Sequence, residues 1–242
     1  MSPTAVSMSA PSKPLPQRNS RLVRLLSDLA LIDDSWPQRE FADRLGQMLN
    51  FSDSILLADA HKLDPNKGFE KNTLDGEDLK SSVLQTKRSL VNNLIKSCSP
   101  GGPAGRIPWP KFYDQADSGT ELSYDPLQRF YLAHQREQDL AIRVARSAAR
   151  DALSSCSPGL RKLATLDSVF EDTLMEPTRR FFALVPQLLE RRFAQLQQQQ
   201  QPQWLNQFRK EVQALLLAEL DLRLQPLLGL VEALEREVVA HP

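Results

Sequence analysis

Residues 204–237 read WLNQFRKEVQALLLAELDLRLQPLLGLVEALERE, and this stretch constrains the architecture more than any other. Apolar residues recur through it at intervals of three or four, the spacing that keeps side chains on one face of an α-helix. They are Leu205, Phe208, Val212, Leu216, Leu220, Leu224, Leu227, Val231, Leu234 and Val238. A helix about 50 Å long, at 1.5 Å per residue, cannot bury this stripe against itself. The pattern therefore predicts a long C-terminal helix that packs on a partner surface.

The preceding segment supplies the nearest partner surface. Its apolar face consists of Phe182, Val185, Leu189, Phe193 and Leu196. That face runs into glutamines 197–201, and Pro202 then favours a break in the helix. We therefore predict an antiparallel helical hairpin over residues 157–242, in which the last helix packs mainly on its predecessor. Prolines predict one helix boundary at Glu176-Pro177 and kinks at Pro186 and Pro226.

The spacing of the stripe bears on what else it binds. Successive apolar residues are four positions apart from Phe208 to Leu224, and after that the spacing alternates between three and four. The stripe therefore drifts around the helix instead of keeping a heptad repeat. This drift favours packing within the chain over a long two-stranded coiled coil. Leucines to the side of the stripe are then surplus and are expected to contact a partner, namely Leu217, Leu222 and Leu228.

The rest of the chain predicts shorter helices. Residues 1–18 lack the apolar content to fold and predict a disordered tail, whereas residues 19–156 predict a helical bundle domain. Asn19 or Ser20 is expected to cap the first helix. Further helix starts are expected at Ser35-Trp36-Pro37, near Ile55 and after Asp75. The fold class is therefore all-α.

A loop rich in proline and glycine is predicted over residues 97–117. Its glycines are not followed by Gly-Lys-Ser/Thr, so they do not predict a phosphate-binding loop. Three aromatic residues in the loop, Trp109, Phe112 and Tyr113, are expected to anchor it on the bundle, with an exposed docking patch as the alternative.

Asp125-Pro126 opens a predicted helix that reaches about Ser154. Its inner face is expected to narrow from aromatic residues to alanines, through Leu127, Phe130, Tyr131, His134, Gln138, Ala141, Ala145, Ala148 and Ala152. Such small residues would let another helix approach closely. The opposite face carries arginines seven residues apart with one more beside them. This arginine ladder consists of Arg129, Arg136, Arg143, Arg146 and Arg150.

Two interpretations of the arginine ladder stay open. It is a solvated face, balanced in part by acidic residues four positions before Arg129 and Arg143. Alternatively it is a docking strip about 30 Å long, at 1.5 Å per residue, for an acidic protein, a phosphate backbone or anionic lipid. No aromatic residues are interleaved on this side for base stacking, so nucleic acid is not expected as a partner.

Composition excludes several protein classes. Thirty basic and 30 acidic residues cancel, so bulk charge gives no reason to expect a polyanionic partner. The N-terminal residues lack the basic and apolar pattern of a signal peptide, and charged residues interrupt the longest apolar stretch, so no membrane span is predicted. Cys98 and Cys156 make no disulfide framework. We therefore expect a cytoplasmic protein, for which contact at the membrane periphery stays open.

Few residues predict chemistry. The two separated cysteines and His61, His134 and His241 show no metal-ligand spacing, and no di-iron Glu-x-x-His pair occurs. His134 and Gln138 are expected to hydrogen-bond each other or a neighbouring helix. Acidic residues at 167, 171 and 172 predict an outward helix face. The sequence accordingly predicts no cofactor, no metal and no catalytic residue, and we expect a protein that is not an enzyme.

Short motifs near the N-terminus resemble a known family. The runs SRLVRLLSDL at 20–29 and FADRLG at 41–46, followed by DPLQRFY at 125–131, are similar to those of an uncharacterised proteobacterial family of unknown function. Such families tend to be encoded near proton-channel and OmpA-like envelope proteins. The resemblance implies an envelope-associated assembly and supplies no catalytic residues.

These observations lead to two functional hypotheses, beside a third in which the chain is an enzyme whose site is too dispersed to recognise in the sequence. The first is a cytoplasmic helical scaffold or adaptor that binds another helical protein, or a second copy of itself, through the C-terminal hairpin. The alternative is binding of nucleic acid or an anionic membrane through the arginine ladder.

Overall fold

The computed structural model describes residues 20–32, 51–70, 76–101, 105–111, 122–199 and 201–240. Within these ranges the chain forms six α-helices and no strand, which confirms the all-α fold. The helices are α1 (Arg21–Asp28), α2 (Phe51–Lys62), α3 (Gly76–Cys98), α4 (Asp125–Cys156), α5 (Pro158–Gln199) and α6 (Trp204–Ala240). The predicted tail, the predicted start at Ser35-Trp36-Pro37 and the predicted cap Asp75 lie outside the described residues.

Local signals set the helix ends as predicted. The Ser20 hydroxyl accepts a hydrogen bond from the Val23 amide at 3.3 Å and so caps α1. Pro126 lies in the first turn of α4, where its missing N–H is not needed. Between α5 and α6 a short turn contains Gln203 with a positive φ of 70°, which reverses the chain. The long C-terminal hairpin is therefore present.

The last helix does not pack mainly on its predecessor, and that prediction is wrong. α6 contacts α1, α3 and α4 as well as α5. The stripe is buried from Phe208 to Leu234, and additional buried residues widen it, namely Leu215, Ala218, Glu219 and Leu230. A helix buried over so much of its circumference needs several neighbours, so α6 lies at the centre of the bundle.

Two hydrophobic clusters meet along α6. The first holds Leu22, Tyr131, Phe193 and the α6 residues from Phe208 to Ala218. The second holds core residues of α3, α4 and α5 together with the α6 residues from Leu220 to Leu234. Segments 19–156 and 157–242, predicted as separate domains, thus both contribute to each cluster. Trp109 packs against the first cluster, with its ring centroid 5.0 Å from that of Phe130, which confirms the anchoring role for this residue. Phe112 and Tyr113 lie outside the described residues.

The predicted helix boundary at Glu176-Pro177 is also wrong. α5 is continuous from Pro158 to Gln199 and contains both Pro177 and Pro186. Proline inside a helix removes a hydrogen bond and costs about 3 kcal/mol, but apolar residues are buried on both sides of Pro177, from Leu160 to Leu196. Packing against the neighbouring helices offsets this cost. α6 likewise continues through Pro226.

The inner face of α4 departs from the prediction in its second half. Ile142, Ala149 and Leu153 are buried there, whereas Ala148 is exposed. Three of the predicted alanines, Ala141, Ala145 and Ala152, are only partly buried. In this half of α4 the buried positions are therefore each one residue after a predicted alanine, which corresponds to a rotation of the buried face by 100°.

Replacement of Pro177 by alanine tests how the chain tolerates an interior proline. Pro177 is half-buried, so alanine loses little packing and regains the amide donor. We expect Pro177→Ala to raise the free energy of unfolding by about 1–3 kcal/mol in urea titrations. Pro158→Ala is the matched control, because Pro158 is the first residue of α5 and occupies a position where proline costs nothing. A loss of stability in Pro177→Ala would contradict the expectation.

Candidate functional site

A polar cluster is enclosed where α4, α5 and α6 meet. At its centre is the Glu219 carboxyl group of α6, which is completely buried. The Tyr131 hydroxyl donates to Glu219 Oε1 at 2.9 Å, and the Gln135 amide donates to both carboxyl oxygens at 3.0 Å. The same amide lies 3.1 Å from the Phe182 carbonyl oxygen of α5. Hydrogen bonds from Glu219 and its partners thus join three helices.

Arg223 connects this cluster with the surface. It lies one turn after Glu219, and its Nη2 atom is 3.9 Å from Glu219 Oε2. Its Nη1 atom is 3.5 Å from Asp139 Oδ1, and the Asp139 side chain is half exposed. The guanidinium carbon lies 3.7 Å from the centroid of the Phe182 ring, a cation–π contact. Arg223 is therefore the charged group between a buried and a solvated carboxylate.

The burial of Glu219 changes its acidity. Loss of solvation raises the pKa of Glu219 to about 7, against the opposing effects of Arg223, Gln135 and Tyr131. Burial also raises the pKa of Tyr131 well above its usual value, and the adjacent Glu219 raises it further. For Arg223, burial lowers the pKa, which Glu219 and Asp139 oppose. Of these groups, Glu219 is the one that can gain or lose a proton near neutral pH.

His134 and Gln138 lie on the same inner face of α4. The predicted bond to a neighbouring helix is present, because the Gln138 amide donates to the Leu216 carbonyl oxygen at 3.3 Å. The His134 ring packs against Phe130, with 4.6 Å between the ring centroids. Burial lowers the pKa of His134 to about 4, so the imidazole is neutral at physiological pH.

The polar cluster reaches neither of two cavities that lie beside the described helices. One, of about 290 Å³, lies between α3 and α4 and is lined mainly by polar side chains such as Ser89, Asn93 and Glu137. The other, of about 470 Å³, lies beside the end of α6. Glu219, Tyr131 and His134 line neither of them. A ligand in either cavity would therefore not touch the Glu219 carboxyl group.

The arginine ladder divides into two parts. Arg146 and Arg150 are mostly buried and face α5, where Asp167 accepts from Arg146 at 2.7 and 2.8 Å. Arg150 lies 3.2 Å from the same carboxylate and also pairs with Glu171. These two arginines are part of an intramolecular ion-pair network, so the five side chains do not form one continuous docking strip.

The other part of the arginine ladder is exposed. Arg129 and Arg136 lie at the surface, and Arg143 pairs with Asp139 at 2.6 Å in the predicted i, i+4 arrangement. Asp167 and Glu171 were predicted to face outward, and that prediction is wrong, because α5 turns them toward α4. The strip predicted for α4 is thus shorter and less basic than its sequence suggests.

The leucines predicted to be surplus pack within the chain. Leu217 and Leu222 lie against the first hydrophobic cluster, and Leu228 lies against the second. All three are only partly buried. They are therefore not surplus to the chain's own core, because α6 has neighbours on several sides.

Sequence reasoning missed the Glu219 cluster. Glu219 follows Leu216 by three residues and immediately precedes Leu220, so it stands beside the apolar stripe. Gln135 lies one turn after Tyr131 and directly after His134, beside the predicted inner face of α4. The sequence offered one signal for this cluster. A charged residue lies on the apolar side of the predicted C-terminal helix, and several polar residues lie on the apolar side of the predicted α4 helix.

Other kinds of site receive little support from the described residues. No group of three or more metal-ligating side chains occurs among them. Burial raises the pKa of the Cys98 thiol to about 12, which keeps it protonated. None of the helices in the described ranges is both long and apolar enough to cross a bilayer.

Comparison with known proteins gives one match. The family model described as "Protein of unknown function (DUF3348)" matches residues 8–236. No curated protein and no solved structure matches the chain.

Replacement of Glu219 by glutamine tests the buried carboxyl group. Its folded-state pKa is raised from 4.5 to about 7, so its contribution to stability is complete below pH 4.5 and is lost as the pH rises through about 7. His134 changes stability with pH in the opposite direction, because its pKa is lowered by folding, but it is present in both proteins and does not affect their difference. We therefore expect the difference in unfolding free energy between wild type and Glu219→Gln to change by about 3 kcal/mol over this range, in favour of the variant at high pH.

Chemical denaturation at a series of pH values measures this difference. Glu70→Gln is the matched control, because Glu70 is exposed on the turn after α2. Parallel pH profiles for wild type and Glu219→Gln would contradict the expectation, because they would show that folding does not shift the pKa of the carboxyl group.

Removal of the Asp167 charge tests the ion-pair network between α4 and α5. Asp167→Asn leaves Arg146 and Arg150 mostly buried with weaker partners, so we expect a loss of about 1–3 kcal/mol in unfolding free energy. Asp172→Asn, on the exposed side of the same helix, is the matched control and is expected to change stability little. Equal effects of the two substitutions in urea titrations would contradict a structural role for the network.

Proposed function

The chain belongs to the DUF3348 family of proteins of unknown function, and we propose that it is a non-enzymatic helical scaffold or adaptor in the cytoplasm. It acts by protein–protein interaction, and the C-terminal hairpin supplies the binding surface. The observation that carries this proposal is the end of α6, where Val238 and Val239 are 53% and 80% exposed. Adjacent exposed valines favour a partner that would remove them from water.

The surroundings of these valines support a protein partner. α6 continues beyond Leu234, its last buried leucine, so its final turn projects from the core. The cavity beside it is lined by Val239 together with Glu232, Glu235 and Arg236. Apolar contact area bordered by charged groups is the usual composition of a protein–protein interface. The leucines on the sides of α6 contribute less, because they already pack within the chain.

The non-enzymatic part of the proposal has its own support. A catalytic group must reach its substrate, and Glu219 and His134, whose pKa values are both shifted by burial, are enclosed and line neither of the two cavities. The setting in an envelope-associated assembly rests on the family resemblance alone.

The alternative of anionic-membrane or nucleic-acid binding has weaker support. Such binding needs several cations on one accessible face. Arg146 and Arg150 are committed to Asp167 and Glu171, which leaves Arg129 and Arg136 with the half-exposed Arg143.

Substitution of the exposed valines tests the proposal. A bait that carries Val238→Asp and Val239→Asp is compared with wild type and with Leu63→Asp, a matched control whose 52% exposed side chain lies outside the hairpin. In a pull-down from cell lysate, we expect one protein to be retained by the wild-type and control baits and lost from the double variant. When that protein is purified, we expect it to bind the double variant with at least tenfold lower affinity than wild type. Equal binding by all three baits would contradict a role for the end of α6.

A further inference from the structure

The outer face of α4 is exposed over about four turns. Leu140 and Val144 are 66% and 62% exposed, and among the large apolar side chains in the described ranges only Val239 is more exposed. Arg136 precedes them, and Ala148 and Asp151 follow, all three of them exposed. At 100° per residue, these five residues lie within one side of the helix. Leu140 and Val144 are the apolar centre of this face, beside the exposed Ser147 and Arg143, which pairs with Asp139, and a charged residue lies at each end.

The other sides of α4 are occupied. Arg146 and Arg150 turn toward α5, where they pair with Asp167. Glu137 turns toward α3, where its carboxylate accepts from Asn93 at 3.4 Å. Ile142 belongs to the cluster around α6. The face from Arg136 to Asp151 is therefore the side of α4 that the described helices leave uncovered.

This face is complementary to itself when it is reversed. From its N-terminal end it presents a cation, a large apolar residue, a medium one, a small one and an anion, namely Arg136, Leu140, Val144, Ala148 and Asp151. In an antiparallel pair of such helices centred on Val144, residues equidistant from the centre face each other. Leu140 then lies on the alanine of the other helix, and Arg136 lies near its aspartate.

We propose that two copies of the chain associate through antiparallel α4 helices about a twofold axis near Val144. Within the described part of the chain, no carboxylate lies within ion-pair distance of Arg136 and no cation within that distance of Asp151, so both charges are available to the other copy. A parallel pair would place like charges together, which disfavours it. A twofold interface is self-complementary, as this face is.

The proposed interface between two α4 helices is small. From Arg136 to Asp151 the helix spans about 23 Å, at 1.5 Å per residue, so one helix pair buries less than the roughly 1,200 Å² of a standard interface. Interfaces of this size are typical of weak, transient complexes, so the association depends on concentration. It does not require the proposed contact at the end of α6.

Reversal of the two charges tests the proposal. Arg136→Asp places two acidic residues together at each end of the interface, and Asp151→Arg places two cations together. We expect sedimentation velocity to show a concentration-dependent monomer–dimer equilibrium for wild type and at least tenfold weaker dimerisation for each variant alone. An equimolar mixture of the two variants is expected to recover dimers, because residue 136 of each copy then lies near an oppositely charged residue 151 of the other.

The mixture separates this arrangement from an effect on folding. Residues 136 and 151 lie about 23 Å apart on one helix, so they do not contact each other within one copy. Recovery of dimers in the mixture must therefore come from contacts between copies. Leu140→Asp is expected to abolish the dimer, whereas the matched control Leu184→Asp, exposed on α5, is expected to leave it unchanged. A wild type that stays monomeric throughout the micromolar range would overturn the proposal, as would a mixture that dimerises no better than its components.

Discussion

The burial of α6 against four other helices governs where each of those helices can lie. Its N-terminal half meets α1, α4 and α5 around Phe208, and its C-terminal half meets α3, α4 and α5 around Leu227. Apolar burial of this extent stabilises the bundle without directional bonds. Direction comes from polar groups at a few positions, above all from Glu219, whose carboxyl group binds Tyr131 and Gln135 of α4, and from Gln135, which also binds α5.

The helix α4 shows how one element serves several neighbours. Tyr131 and Gln135 hold the buried carboxyl group, Arg146 and Arg150 bind the acidic residues of α5, and Leu140 remains at the surface. The 100° step of the helix distributes these roles around its circumference. Because the charged and apolar residues that face solvent are those without a role inside the chain, the outer side of α4 is available for association with another molecule.

Much of the fold could be predicted from the spacing of apolar residues. The stripe from Phe208 to Leu234 is buried as expected, and the hairpin turn follows the glutamine run. The helix boundary at Pro177 was wrong because local proline signals carry no information about tertiary packing, which here sustains α5 on both sides. The site was harder to predict. The pairing of Arg146 with Asp167 depends on the crossing of two helices, and the burial of Glu219 depends on three, so neither follows from a pattern within one helix.

The central position of α6 also affects synthesis of the protein. A ribosome releases α1 to α5 before α6, so the earlier helices emerge without the element that covers their apolar faces. Domains commonly fold from the N-terminus as they are synthesised, but here neither cluster is complete until α6 has been added. Tyr131, Phe182 and Phe193 therefore lack their contacts with α6 until that last helix has been synthesised. Apolar surface that stays uncovered during synthesis is prone to aggregate, so this order of events favours aggregation of incomplete chains.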